Sequence, residues 1–83
     1  MPRLTITNSC GIPVEVVIND RGTKIPAQGQ ISGDYDGNVG LLIRPDGQQA
    51  KFFDGSDFRT QSMVQDITLT VSVIDGQKKL GFT

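Results

Sequence analysis

Residues 66–82, which read DITLTVSVIDGQKKLGF, decide the fold of this chain. Apolar side chains alternate there with small hydroxyl side chains. The apolar set is Ile67, Leu69, Val71 and Val73. A repeat of two is typical of a β-strand with one face buried. The stretch therefore predicts a strand packed on a core by its apolar face.

The dipeptide Asp75 and Gly76 predicts that this strand turns back as a hairpin. Asp-Gly is a preferred pair for a two-residue hairpin loop, because both positions need a positive φ. Such a loop would pair Ile74 with Gln77, Val71 with Leu80, and Leu69 with Phe82. In that register the apolar residues of both arms share one face.

The remaining chain also indicates short strands separated by turn residues. We expect strands over residues 4–7, 14–18, 23–25, 30–35, 39–44 and 49–53, and a loop plus a short irregular strand over residues 54–65. Residues 19–22 should form a hairpin loop in which Gly22 supplies the positive φ. The run Leu41, Leu42, Ile43 suggests a strand buried on both faces.

Turn signals recur at the spacing of an all-β protein, about every 8–12 residues. The sequence therefore predicts one all-β domain over residues 1–83. Its architecture is a small antiparallel β-sandwich or partly open barrel of about seven or eight short strands. The Asp75-Gly76 hairpin is its last element.

Composition and charge exclude several classes of function. The net charge of −1 gives no basic excess for binding nucleic acid. No apolar run approaches the roughly 18 residues of a membrane span, and residues 1–11 lack the apolar core of a signal peptide. The lone cysteine, Cys10, fits a reducing compartment. We expect a cytoplasmic or virion protein without a signal peptide or transmembrane segment.

Catalytic and metal-binding motifs are weak in this sequence. It has no histidine, the commonest general base and metal ligand. Residues 34–38, DYDGN, begin like an EF-hand loop, but Val39 stands at the glycine position and Pro45 at the closing glutamate position. A hairpin turn is the favoured interpretation, with a weak Ca²⁺ site as the alternative. A carboxylate pair drawn from Asp54, Asp57 and Asp66 is a further weak alternative. We predict no catalytic residue, no cofactor and no metal.

Aromatic and acidic side chains are the candidates for an interaction surface. Neighbouring strand residues point to opposite faces, so one of Phe52 and Phe53 should face outward. Outward aromatic side chains often mark protein contacts. The predicted interface residues are Phe53, Phe58, Tyr35, Asp34, Asp36, Asp54 and Asp57.

The functional prediction follows mainly by elimination. We expect a non-enzymatic structural or assembly protein that acts through protein–protein contacts. Its partner would be a second copy in a homo-oligomer or a larger scaffold, as for a capsid-decorating or tail-associated virion subunit in a phage. The alternative is a small soluble inhibitor whose acidic loops, residues 34–38 and 54–57, block a host protein.

Overall fold

The computed structural model describes residues 1–46, 51, 57–74 and 79–83, which form eight β-strands. The strands are β1 (Arg3–Asn8), β2 (Val14–Ile18), β3 (Arg21–Ile25), β4 (Gln30–Asp34), β5 (Gly37–Pro45), β6 (Asp57–Met63), β7 (Ile67–Ile74) and β8 (Lys79–Phe82). The described residues contain no α-helix. The all-β prediction is therefore confirmed.

The strands form two four-stranded sheets, so the architecture is a small β-sandwich. The order is β4-β1-β7-β8 in one sheet and β3-β2-β5-β6 in the other. All neighbouring strands are antiparallel except β1 and β7, which run parallel from Leu4–Ile67 to Asn8–Val71. The first strand thus pairs with a strand from the far end of the chain.

The core lies between the sheets and is made by alternate residues of the strands. In β2 the inward residues Val14, Val16 and Ile18 are almost fully buried, as the alternation predicts. The other buried apolar side chains are Leu4, Ile6, Cys10, Ile25, Val39, Leu41, Ile43, Met63, Leu69, Val71 and Leu80. Because each strand contributes one face, the opposite faces of both sheets are left toward solvent.

The carboxy-terminal hairpin is present, but its register is shifted by two residues from the prediction. Ile74 pairs with Lys79, Val73 with Leu80, and Val71 with Phe82. A shift of two keeps every side chain on its predicted face, because the strand repeat is also two. Residues 75–78, which include the predicted turn residues Asp75 and Gly76, lie outside the described residues.

The turn between β2 and β3 uses different residues from those expected. Asn19 and Asp20 have φ values of 48° and 70°, whereas Gly22 has no positive φ. Ile18 pairs directly with Arg21, so Asn19 and Asp20 form a two-residue turn of the type that matches strand twist. Gly22 instead makes room for a neighbour, since a Cβ there would lie 2.8 Å from Glu15 Oε2.

Three further strand predictions need correction. Leu41 and Ile43 are buried but Leu42 is only half-buried, so β5 has one core face rather than two. Asp57–Met63 is a regular seven-residue strand, where we expected a loop plus a short irregular strand. Lys51 has 3₁₀ rather than strand geometry. The rest of the strand predicted over residues 49–53 lies outside the described residues.

Candidate protein-interaction surface

An apolar row crosses the outer face of the sheet β3-β2-β5-β6. Val17 of β2 pairs with Leu42 of β5, and Leu42 pairs with Phe58 of β6. These three side chains, which we call the Phe58 row, all point away from the core. Phe58 is 65% exposed, a large fraction for a phenylalanine in a strand. The row therefore presents apolar surface to solvent on the outer face of this sheet.

A shallow groove lies beside the Phe58 row. Gly40 is on the same outer face, and a Cβ there would meet the Phe58 ring at 3.8 Å. With no side chain at Gly40, the ring stands above open space of about 300 Å³, bounded on the other side by Asn19 and Asp20. Asn19 is held against the sheet, since its Oδ1 accepts a hydrogen bond of 3.0 Å from Gly40 N.

Charged residues limit the apolar surface on one side. Glu15 is paired with Lys24 of β3 and with Arg44 of β5 in the register. The Arg44 Nε donates a hydrogen bond of 2.6 Å to Glu15 Oε1, and Lys24 Nζ lies 3.7 Å from Asp46 Oδ1. On the other side of the row the outward residues of β5 and β6, Gly40 and Thr60, are neutral, and Asp20 lies beside the groove. The Phe58 row is thus a defined strip between an ionic row and a polar one.

The outer edge of β6 presents hydrogen-bonding groups that β5 does not use. Both backbone groups of Gly40 face β2, where Asn19 N donates to Gly40 O at 3.1 Å. Backbone groups alternate sides along an antiparallel strand, so Leu41 faces β6 and bonds with its partner Arg59. By the same alternation, the backbone groups of Phe58, Thr60 and Ser62 point away from β5. No described strand pairs with that side of β6.

The structure places the predicted interface residues at different sites. Phe58 is on the outer face as predicted, whereas Tyr35 is half-buried and packs against the core. Phe53 and Asp54 lie outside the described residues.

The predicted acidic residues do not form one surface. Asp34 lies 3.5 Å from Arg3 Nε, and Asp36 is exposed next to the start of β5. Asp57 is opposite Ile43 near the far end of β5. Six residues along β5 separate Gly37, next to Asp36, from Ile43, opposite Asp57, which is about 20 Å at ~3.3 Å per residue. One binding patch cannot include both acidic groups without covering the length of the sheet.

Asp57 and Asp66, two of the three candidates for a carboxylate pair, are not brought together. Asp66 precedes β7, and its Oδ1 accepts a hydrogen bond from Arg3 N at 2.9 Å. Asp57 lies near Gly81, at the other end of the sandwich, where a Cβ on Gly81 would be 3.6 Å from Asp57 Oδ2. Asp54 is outside the described residues. Asp57 and Asp66 are too far apart for shared general acid–base work.

The acidic and cysteine side chains of the described residues do not form a metal-binding or reactive site. Residues 1–46, 51, 57–74 and 79–83 contain no group of three or more acidic, cysteine or histidine side chains that could hold a metal. Cys10 is buried, and its Sγ lies 3.7 Å from Val71 O. Burial raises the pKa of this thiol, because a thiolate would lose its hydration. Cys10 is therefore a core side chain in its neutral form.

Sequence reasoning missed Val17 and Leu42 as surface residues. Each sits next to inward apolar residues in its strand, so composition alone suggested core. The signal was the alternation itself, because Val17 lies between Val16 and Ile18 and must point the other way. The strand register then places Val17, Leu42 and Phe58 in line.

Comparison with protein-family models, with curated proteins and with solved structures gave no match. Within the part of the chain that the structure describes, no helix has the length and apolar character needed to cross a membrane.

Proposed function

We propose that this protein is a non-enzymatic structural subunit that assembles with a second copy of itself through the outer edge of β6. The observation that carries the proposal is the exposed Phe58 on an edge strand whose outward backbone groups have no described partner. Strand addition of this kind obtains affinity from main-chain hydrogen bonds and specificity from side chains on either face.

A comparison of the four sheet edges supports β6 as the contact. Natural edge strands avoid unwanted pairing by being short or by carrying lysine or proline. β3 carries Arg21 and Lys24 and is followed by Pro26, while β8 has four residues and begins with Lys79. β4 and β6 contain neither lysine nor proline, and β6 has seven residues, among them Asp57 and Arg59, whereas β4 has five. β6 is thus the longest of the four described edges and lacks lysine and proline.

The sequence of β6 favours antiparallel pairing about a two-fold axis at Thr60. In that arrangement Thr60 meets the partner's Thr60, and each Phe58 meets the partner's Ser62. All three positions have outward backbone groups, as hydrogen-bonded pairs require. Threonine opposite threonine is a favourable cross-strand pair, and an axis at Arg59 would instead place like charges face to face. The Phe58 rows of the two copies would lie on one continuous outer face.

A charge-swap experiment at Thr60 tests this arrangement. Thr60 is exposed and on the outer face, so Thr60→Lys and Thr60→Glu should each leave the fold intact. In each homodimer two like charges would then meet at the axis, which weakens association at least tenfold. An equimolar mixture of the two variants should recover a dimer, and light scattering over a range of concentrations measures all four samples. Thr60→Val is the matched control, since it keeps the strand neutral and should dimerise like the wild type.

Two results would contradict the proposal. A wild-type protein that is monomeric at every concentration tested would exclude self-assembly. A wild-type dimer with variants that dimerise equally well alone and mixed would move the contact away from Thr60. The Phe58→Ser variant provides a second test, because it should weaken the dimer without altering the backbone pairing.

The more specific function that we propose is that of a virion accessory subunit, which decorates a capsid or belongs to a tail. A self-pairing sheet edge supports it, since repeated subunits in a particle need few and identical contacts. Virion structural genes beside this gene and co-sedimentation of the protein with intact particles are the expected observations. The alternative of an inhibitor with acidic loops gains less support, because Asp34 is paired with Arg3 and Asp57 lies opposite Ile43, about 20 Å along β5 from the end that is next to Asp36.

A further inference from the structure

A cleft opens between the two sheets on the side formed by β3 and β4. Its volume is about 210 Å³. The floor is apolar and consists of core side chains from both sheets. These are Leu4, Ile6, Ile18 and the half-buried Ile31. The cleft is thus an extension of the hydrophobic core toward solvent.

The ring of Tyr35 forms one wall of the cleft. Gly33 is opposite Leu4 in the β1–β4 pairing and faces inward. A Cβ at Gly33 would lie 3.0 Å from Tyr35 Cε2, so the ring of Tyr35, which follows β4, occupies the space that a side chain at Gly33 would take. The cleft therefore has an aromatic wall on the β4 side.

Two inward-facing side chains bring hydroxyls to the cleft, Thr23 of β3 and Tyr35 on the other sheet. Ser32 also lines the cleft, but it pairs with Thr5 and its side chain is on the outer face of β4. Neither Thr23 nor Tyr35 makes a side-chain hydrogen bond to another residue in the described part of the chain. The described lining also includes no charged side chain. A ligand that suits this surface is neutral, apolar over most of its body, and able to exchange hydrogen bonds at one end.

The volume limits the size of that ligand. An apolar protein cavity of about 150 Å³ is known to hold benzene. The larger cleft has room for one aromatic ring with a short substituent. We propose that the cleft is a binding site for a small neutral phenol, with the ring against the half-buried Ile31 and the hydroxyl at Thr23 and Tyr35.

This site is independent of the proposed assembly through β6. β3 and β4 form one side of the sandwich, and β6 is at the far edge of its sheet from β3. Dimerisation at Thr60 leaves the cleft open, so the two proposals can fail separately. Phenol binding should leave the molecular mass in light scattering unchanged.

The test is a titration of isotope-labelled protein with 4-ethylphenol, followed by amide chemical shifts. Saturable shifts are expected at cleft positions such as Ile31, Gly33 and Tyr35. Benzoate has a similar ring but carries a charge that the cleft does not neutralise, and it should bind at least tenfold more weakly. Thr23→Leu places a larger apolar side chain at the mouth and should lower the affinity for 4-ethylphenol at least tenfold.

Control variants show whether a change in affinity comes from filling the cleft or from the substitution itself. Thr68→Leu makes the same chemical change on the exposed outer face of β7 and should leave the affinity unaltered. Tyr35→Phe should reduce the preference for 4-ethylphenol over ethylbenzene by about two- to tenfold, the range for one hydrogen bond. If Thr23→Leu does not fold, Ile31→Phe fills the same space from β4.

Three outcomes would overturn the site. Shifts that never saturate would exclude a defined complex. Shifts concentrated on Val17, Leu42 and Phe58 would place the phenol in the outer groove. Equal affinity for benzoate, or equal binding by the filled variants, would show that the cleft does not select the ligand.

Discussion

The two long sides of the sandwich differ in how closely the sheets approach each other. On one side β8 lies against β5 and β6 of the facing sheet, and Asp57 of β6 reaches Gly81 of β8. On the other side β3 and β4 are separated by the cleft. Each side has a glycine in an edge strand with a neighbouring side chain over it, Ile74 over Gly81 and Tyr35 over Gly33.

The comparison teaches that the core-facing side chains, rather than the edge glycines, set how closely the sheets approach. Both glycines are covered alike, since a Cβ on Gly81 would lie 2.8 Å from Ile74 Cδ1 and one on Gly33 would lie 3.0 Å from Tyr35 Cε2. On the closed side Leu80 is fully buried between the sheets, whereas Thr23 and Ile31 on the open side are only half-buried.

The open side is held at one end by Asn8, which is fully buried. Its Nδ2 donates to Ile12 O at 2.9 Å, to Pro26 O at 3.1 Å and to Ile25 O at 3.3 Å. Its Oδ1 accepts from Cys10 N at 2.9 Å. One amide thus joins the end of β1 to the connection between β3 and β4. On this side of the sandwich, hydrogen bonds take the place of the apolar contacts that close the opposite side.

The largest expected effect comes from paired truncations on the two sides. Leu80→Ala should lower the free energy of unfolding by about 3 kcal/mol, because it leaves a cavity in closely packed surroundings. Ile31→Ala should cost about 1 kcal/mol, because Ile31 is half-buried and already borders empty space. Urea denaturation measures both. Equal losses would mean that the two sides are packed equally well.

Substitution of Asn8 breaks the hydrogen bonds of the open side. Asn8→Leu should lower the free energy of unfolding by about 2 kcal/mol, because it leaves buried carbonyls and the Cys10 N–H without partners. Asn38→Leu is the matched control, since Asn38 is exposed on the outer face of β5 and the change should stay within about 0.5 kcal/mol. A loss no larger than the control's would show that Asn8 does not hold this side.

Filling the cleft should make the packing of the open side more like that of the closed side. Thr23→Leu is expected to raise the free energy of unfolding by about 0.5 kcal/mol, the low end for a cavity-filling change. Thr68→Leu, on the exposed face of β7, should give no gain. Thermal denaturation of the two variants beside the wild type provides the measurement, and a destabilised Thr23→Leu would mean that the space is smaller than 210 Å³ suggests.

The smallest expected effect concerns the buried thiol of Cys10, near the Asn8 end of the core. Its pKa in the folded protein is raised by burial above the ordinary value of 9.0. The unfolded chain therefore loses this proton first, and stability must fall as the pH rises through 9.0. Below that pH the contribution is complete. Urea denaturation across this range, compared with Cys10→Ala, isolates the effect, and parallel pH dependences in the two proteins would argue against it.

Much of the fold could be predicted from the sequence, and less of the surface. The alternation of Ile67, Leu69 and Val71 correctly predicted both a strand and its buried face. Phe58, one of the predicted interface residues, is exposed. The acidic residues could not be assigned to one surface, because nothing local in the sequence states that Asp36 and Asp57 lie near opposite ends of β5.

Asn8 and the cleft depend on residues distant in the chain. Asn8 reads as an ordinary turn residue, yet its partners come from residues 10, 12, 25 and 26. The cleft needs Thr23 of one sheet to face Gly33 of the other across the core. Neither contact follows from a pattern within one strand.

By itself the sequence determined that the chain forms short strands and which side chain of each faces the core, because the repeat of two is a property of the local backbone. The tertiary structure alone decided which strands are neighbours, including the parallel pairing of β1 with β7, and where the sheets meet or separate. Local alternation specifies a face but carries no information about its partner, so pairing, register and the empty space between sheets arise only when the whole core is packed.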